Sequence, residues 1–238
     1  MTTGRGIENG EMTMRNTRRR TGIGALWMLA VLLSVAAGIG LAHAQGERWM
    51  VRLRGVVLVP NDSSGVVSTL PGSGVSVSTD AIPELDISYF FRPRWSAELI
   101  LGSSQHDISG QGSIAGLGKI ADARTLPPTL TLQYHFLPGA RVQPYLGLGV
   151  NYTDFYAEQA SPSLNAALGT TSVHLDSSLG VAAQLGADFA LGGGWFANMD
   201  LKYIDLGTTA ILTSPGAVRR VDVQIDPWLV GFGIGRRF

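Results

Sequence analysis

The chain has no cysteine and little charge: 18 basic and 18 acidic residues, 15% of 238, for a formal net charge of zero. The missing cysteines exclude disulfides, thiolate catalysis and Cys-ligated metal. They do not fix the compartment, because an oxidising one permits disulfides without requiring them. A water-soluble domain of this length normally carries charge on about a quarter of its residues, so the low figure argues against one. After Leu41 no run approaches 18 apolar residues, which leaves no later candidate for a spanning helix. No His-x-x-x-His or comparable ligand spacing occurs, and no Gly-x-Ser-x-Gly elbow. No metal, cofactor or catalytic centre is therefore expected, and the chain does not read as an enzyme.

What is present begins with an export signal. Arg15, Arg18, Arg19 and Arg20 precede an apolar run from Ile23 to Leu41 that ends in Ala42-His43-Ala44. Basic, apolar, then small-x-small is the order of a cleaved secretory peptide, with cleavage after Ala44. The competing reading is an uncleaved membrane anchor, and the Ala-x-Ala ending favours cleavage. Met14 is a second candidate start. The arginines match a twin-arginine signal only weakly, because Thr21-Gly22-Ile23 follow them. Removing residues 1–44 takes away five Arg and two Glu and leaves 13 basic and 16 acidic side chains, a net charge of −3. That balance gives no basis for nucleic-acid binding.

Residues 45–238 alternate with period two, as strands with two different faces do. Eight such runs are expected at 48–60, 83–92, 95–104, 127–137, 142–155, 176–191, 195–206 and 218–238. The turns at 91–94, 138–141 and 191–194 are short and rich in Pro and Gly. The segments near 61–82, 105–126, 157–175 and 207–217 are long and rich in Gly, Ser, Thr and Asn. Strict alternation of short and long connections predicts an all-β, eight-stranded antiparallel up-and-down transmembrane barrel, with short periplasmic turns and four long extracellular loops.

Along 127–137, Leu130, Leu132, Tyr134 and Phe136 share one face, and Thr129, Thr131, Gln133 and His135 the other. Along the last run Trp228, Val230, Phe232 and Ile234 oppose Leu229, Gly231, Gly233 and Gly235. A soluble lipocalin-like barrel would turn the apolar face inward, and a membrane barrel turns it toward lipid. Aromatic placement decides between them. Trp49, Phe91, Trp95, Phe136, Phe189, Trp195 and Phe238 fall at the short-turn ends, and Tyr152, Tyr203 and Trp228 near the opposite ends, all on the apolar face. Two aromatic rings around an aliphatic band match two membrane interfaces.

Leu126-Pro127-Pro128-Thr129-Leu130, Gln133-Tyr134-His135-Phe136 and the run from Pro144 to Thr153 resemble the OmpW family of small outer-membrane proteins. So do Asp226-Pro227-Trp228 and the closing Gly235-Arg236-Arg237-Phe238. The resemblance implies an eight-stranded barrel with an unusually apolar interior that passes small hydrophobic molecules across the outer membrane. It also implies that Phe238 is the signal read by the barrel-insertion machinery, although Arg236 stands where the family commonly has an aromatic.

Two sets of inward residues are candidates. Arg52, Arg54, Glu98, Asp188, Asp200, Lys202 and Arg237 form a charged lower lumen, read either as a paired filling or as a plug. Val56, Leu58, Ile100, Ile204, Val223 and Ile225 form an apolar upper lumen, read either as simple packing or as the lining for a hydrophobic ligand. A bulge near Asp226-Pro227 would exchange the faces of Val223 and Ile225. The Gly231-x-Gly233-x-Gly235 run lacks the spacing and helix of a nucleotide site and reads as glycines easing a crowded wall. His135 reads as a hydrogen-bonded lumen residue. The expectation is a monomer in outer-membrane lipid that binds or passively conducts small hydrophobic molecules. The alternative is a structural or interaction protein with a packed barrel and functional loops.

Overall fold

The computed structural model describes residues 48–238, so the expected leader at 1–44 lies outside the described residues. In chain order the strands are β1 (Trp49–Val59), β2 (Ser63–Ser64), β3 (Ser73–Val77), β4 (Asp80–Arg92) and β5 (Trp95–Gly102). They continue as β6 (Ser104–Gly112), β7 (Lys119–Leu126), β8 (Thr129–His135), β9 (Val142–Ala160) and β10 (Ser172–Leu175). The chain ends with β11 (Ser178–Gly192), β12 (Trp195–Ile204), β13 (Gly207–Ser214), β14 (Ala217–Gln224) and β15 (Trp228–Arg237). A short helix, α1 (Pro162–Leu168), lies between β9 and β10. It starts where Ser161 accepts a hydrogen bond from the Leu164 amide and Pro162 occupies the first turn.

Eight strands close an antiparallel barrel in the order β1-β4-β5-β8-β9-β11-β12-β15 and back to β1. Closure leaves these strands no free edge, as a wall in hydrocarbon requires. The burial pattern is inverted relative to a soluble protein. Arg52, Arg54, Tyr145 and Lys202 are among the largest fully buried side chains, while Leu148 is 71% and Leu179 77% exposed. Leucines that open, on a continuous band, belong against lipid. Aromatic pairs bound the band: Trp49–Tyr89 at 4.8 Å and Trp95–Tyr134 at 5.0 Å on the short-turn side, and Tyr203–Trp228 at 5.2 Å on the other.

The glycines of β15 have a local reason. Gly235 pairs with Arg52, Gly233 with Arg54 and Gly231 with Val56 across the β1 ladder. A Cβ on Gly233 would lie 2.1 Å from the Leu53 carbonyl oxygen and 2.9 Å from Arg54 Cγ. Large side chains of β1 therefore fit only over a bare backbone on β15.

One expectation gains detail and one needs correction. The four long connections carry β2, β3, β6, β7, β10 and β13, which extend the wall beyond the membrane as a crown. The expected eighth run is two strands, β14 in the crown and β15 in the barrel, broken at Asp226, whose φ is +40°, and Pro227. The break keeps the alternation in phase, and Val221, Val223, Ile225 and Leu229 all stay buried.

The crown has two walls. One continues the barrel sheet as β9-β7-β6-β3, and the other is a separate sheet, β10-β13-β14-β2. Side chains, not ladders, join them. At the β3–β2 junction Val75 N donates to Ser64 Oγ at 2.8 Å and Val77 N to Asp62 Oδ2 at 2.7 Å. At the β9–β10 junction Leu175 N donates to Glu158 Oε1 at 3.0 Å.

Candidate functional site: a charged plug beneath an apolar chamber

Seven barrel strands send polar side chains into one layer of the lumen, and β15 sends the glycines that make room. Arg52 grips Asp188 with two nitrogens, Nε–Oδ1 at 3.1 Å and Nη2–Oδ2 at 2.7 Å, and donates from Nη1 to Glu98 at 2.5 Å and Ser88 at 2.9 Å. Arg54 lies within ion-pair reach of four carboxylates: Asp86 at 2.9 Å, Asp200 at 2.9 Å, Glu98 at 3.3 Å and Glu84 at 3.4 Å. The pairs with Asp86 and Asp200 are out of line for hydrogen bonding, so Arg54 acts there mainly as a central charge. Lys202 closes the layer on Glu84 at 2.5 Å and Asp200 at 3.3 Å.

Neutral donors complete the carboxylates. Gln133 and Gln184 donate to Glu98 Oε2, and Tyr145 donates to Asp200 at 2.8 Å. Asn198 ties Tyr145 to Asp188. Five carboxylates and three cations thus fill the cross-section. A buried ion cluster of this kind resists removal of any one member, because the remainder would be left unpaired in a dry interior. An eight-stranded barrel is only wide enough for such side chains to fill.

Of the expected charged set, Arg52, Arg54, Glu98, Asp188, Asp200 and Lys202 meet here. Arg237 lies in the periplasmic cap, its guanidinium 3.8 Å over the Phe90 ring and 5.8 Å from Phe196. Glu84 and Asp86 belong to the plug and were not among the sequence candidates. Their signal was available, since Glu84, Asp86 and Ser88 alternate with Leu85, Ile87 and Tyr89. His135 sits between the Phe90 and Tyr145 rings and shares a 3.0 Å hydrogen bond with Ser96. Among the described residues no group of His, Asp or Glu is placed to hold a metal ion.

Above the plug the lumen turns apolar. Val56, Leu58 and Ile204 belong to a continuous buried cluster that rises into the crown, and Ile100 is buried on the plug's upper edge, beside Asp86. The cavity itself is higher than the sequence suggests. It measures about 50 Å³, and its walls include Val75, Ile108, Ile120, Phe155, Leu175 and Leu212 from the crown strands. Val223 and Ile225 line it; the other four apolar candidates do not. His106 forms its polar edge, held by Ser78 O and Ser104 Oγ, each at 2.8 Å.

Between plug and chamber the wall has a seam. β5 pairs with β8 as far as Ile100–Thr129, and β6 pairs with β7 only from Ser104–Thr125 upward. Residues 101–103 and 126–128 make no ladder pairs with each other, while Leu101 and Gly102 still pair with β4 and Leu126 with β9. Pro127 and Pro128 have no N–H to donate, and on the other flank β4 pairs with β5 only up to Glu84–Gly102, below Pro83. Three prolines thus surround Gly102 and the start of β6.

The profile of the OmpW family matches residues 45–238. The chain belongs to the OmpW family. It is 34% identical to Outer membrane protein W of Vibrio cholerae, over 88% of this chain and 97% of that protein. It is 30% identical to the Dibenzothiophene metabolism operon protein PahQ of Pseudomonas aeruginosa, over 82% and 90%. Its fold matches the crystal structure of the outer membrane protein OprG from Pseudomonas aeruginosa with a TM-score of 0.75 and 33% identity, covering 82% of this chain and 98% of that one. This OmpW-family chain is therefore an outer-membrane barrel, and the lipid-facing band, two girdles and short periplasmic turns describe its seat in that membrane.

Proposed function

We propose that this barrel admits small apolar molecules into the crown chamber and releases them sideways through the proline seam into the outer membrane. The observation that carries the reading is the apolar chamber sitting directly above a filled, charged plug. An apolar molecule leaves water for such walls with about 25 cal/mol per Å² of apolar surface buried. Going further down the axis would require it to displace paired charges, which is far more costly. The seam offers the lower barrier, since no ladder hydrogen bonds have to break there.

The chamber must widen to work. At about 50 Å³ it is smaller than the ~150 Å³ apolar cavity known to hold benzene, so loading requires the crown walls to part at their side-chain junctions. Kinship with a protein named for a dibenzothiophene metabolism operon supports aromatic and other apolar cargo. The reading includes residues 1–44 as the export leader, Phe238 as the insertion signal and a non-catalytic monomer. Val56, Leu58, Ile100 and Ile204 act in it as the apolar floor of the chamber.

Proteoliposomes holding the purified protein, offered an alkane, a terpene, dibenzothiophene and a sugar, test it. The apolar compounds should enter faster than into empty liposomes, and the sugar should not. Apolar uptake equal to that of empty liposomes would sink the transport reading. The fully packed plug would then favour the second reading, a structural barrel whose crown contacts surfaces.

A further inference from the structure

The charges of this chain are sorted along the barrel axis. The crown segments 60–82, 103–128, 153–177 and 205–227 hold ten carboxylates against four basic side chains. At the opposite end Arg48, Arg92, Arg94 and Arg141 stand exposed at the start of β1 and in the β4–β5 and β8–β9 turns. Among the described residues no Asp or Glu side chain shares that rim. The carriers β1, β4, β5, β8 and β9 are consecutive around the barrel, so the four arginines form one arc; the β11–β12 turn, outside the arc, is Gly193-Gly194.

The arc lies at a defined depth. Arg48 precedes Trp49, Arg92 follows Phe91, and Arg94 precedes Trp95 and donates from Nη1 to the Tyr134 hydroxyl at 3.1 Å. Interfacial aromatics sit at headgroup level, which puts these guanidiniums beside lipid phosphates. A guanidinium presents a planar fork of donors that matches two phosphate oxygens. The turns are too short to reach past the headgroup region toward a partner in the periplasm.

We propose that this arc is a binding surface for anionic phospholipid headgroups of the periplasmic leaflet, with Arg48, Arg92, Arg94 and Arg141 clasping the phosphodiester and any further anionic group. The acid-rich crown has the opposite affinity, so the barrel is polarised toward anionic lipid at one end only. This goes beyond transport and does not depend on it.

The test uses the full-length protein in nanodiscs of equimolar phosphatidylcholine and phosphatidylglycerol. Lipids retained on extraction are identified by native mass spectrometry. Phosphatidylglycerol should be enriched by about fivefold per occupied site, and the enrichment should collapse in Arg48→Gln/Arg92→Gln/Arg94→Gln/Arg141→Gln. Arg219→Gln/Arg220→Gln, at the crown, should leave it unchanged. Heat-dependent gel mobility checks that each variant is folded, and Arg48→Gln and Arg141→Gln alone serve if the fourfold variant is not. Added inorganic phosphate should compete no better than chloride of equal ionic strength, which separates headgroup binding from a free-phosphate site. Absent enrichment, equal enrichment in the arc variants, loss in the crown variant, or selective displacement by phosphate would each overturn the proposal.

Discussion

Replacing Arg54 by Met should be among the most damaging single changes in the plug. Met preserves much of the side-chain volume over Gly233 but removes the charge that four carboxylates face. The loss is not shared equally. Glu98 keeps Arg52, Glu84 keeps Lys202, and Asp200 keeps Lys202 and Tyr145. Asp86 has Arg54 as its ion-pair partner and no well-aligned hydrogen bond. Orphaning a buried carboxylate in this way costs about 3–5 kcal/mol, and the damage should be concentrated on Asp86.

That concentration makes the reasoning testable by a double-mutant cycle. Arg54→Met is expected to lower unfolding stability by about 3–5 kcal/mol, and Asp86→Asn by less. Arg54→Met/Asp86→Asn should recover part of the loss, with a coupling on the order of 2 kcal/mol. The assay is urea unfolding of the vesicle-embedded barrel, followed by tryptophan emission and by the gel-mobility difference between folded and unfolded chains. A loss below about 1 kcal/mol for Arg54→Met, where a buried pair should cost several, would refute the account of the plug. So would strict additivity of the two changes.

Three further outcomes are expected. Gly233→Ala should abolish or badly impair folding, since its Cβ would stand 2.1 Å from the Leu53 oxygen, whereas Gly55→Ala meets nothing within 4 Å and should fold normally; refolding yield into detergent distinguishes them. Val223→Asp puts a charge into the chamber wall outside the membrane band and should cut apolar uptake in proteoliposomes while insertion stays intact; unchanged uptake would take the chamber off the path. Asp62→Ala/Ser64→Ala removes a neutral acceptor worth about 1 kcal/mol and a charged one worth about 1.5–3 kcal/mol and should speed hydrogen exchange at the Val75 amide by roughly fivefold and at the Val77 amide by more, while exchange in β1 and β12 stays unchanged.

The barrel was legible in the sequence because lipid and lumen impose opposite chemistry on alternate residues. Leu130, Leu132 and Tyr134 against Thr131 and Gln133 leave little choice of register. The crown strands were not legible, because no lipid selects their outer face. β13 reads Gly207-Thr208-Thr209-Ala210-Ile211-Leu212, with buried and partly exposed positions that differ too little in polarity to show a period of two. Reading those segments only as long loops had a consequence: four of the six apolar candidates, Val56, Leu58, Ile100 and Ile204, belong to the barrel, and the chamber, which Val223 and Ile225 do line, lies one storey higher. The plug was read from Arg52, Arg54, Glu98, Asp188, Asp200 and Lys202, yet Glu84 and Asp86 went unread although they share the parity of Ser88. Arg237 shares the inward parity as well, but its aromatic neighbours hold it in the periplasmic cap, a contact that parity alone does not reveal.

The two storeys are also held by different kinds of bond, and this is what lets one move without the other. Around the plug every barrel strand is laddered to both neighbours, and the interior is cross-linked by ions. Around the chamber two of the junctions between strands are made through side chains rather than ladders, with Ser64 and Asp62 as acceptors at β3–β2 and Glu158 at β9–β10. A hydrogen bond contributes about 1 kcal/mol net when its acceptor is neutral, as Ser64 is, and about 1.5–3 kcal/mol when it is charged, as Asp62 and Glu158 are, so parting such a junction costs a few kcal/mol and lies within the range of local opening. Breaking a barrel ladder in lipid instead leaves each backbone group unsatisfied at several kcal/mol apiece. Opening is therefore confined to the crown and to the proline seam, where the chain has already given up the ladder. A chamber too small at rest for its cargo is then no obstacle to uptake, because its walls are the part of the molecule least costly to move.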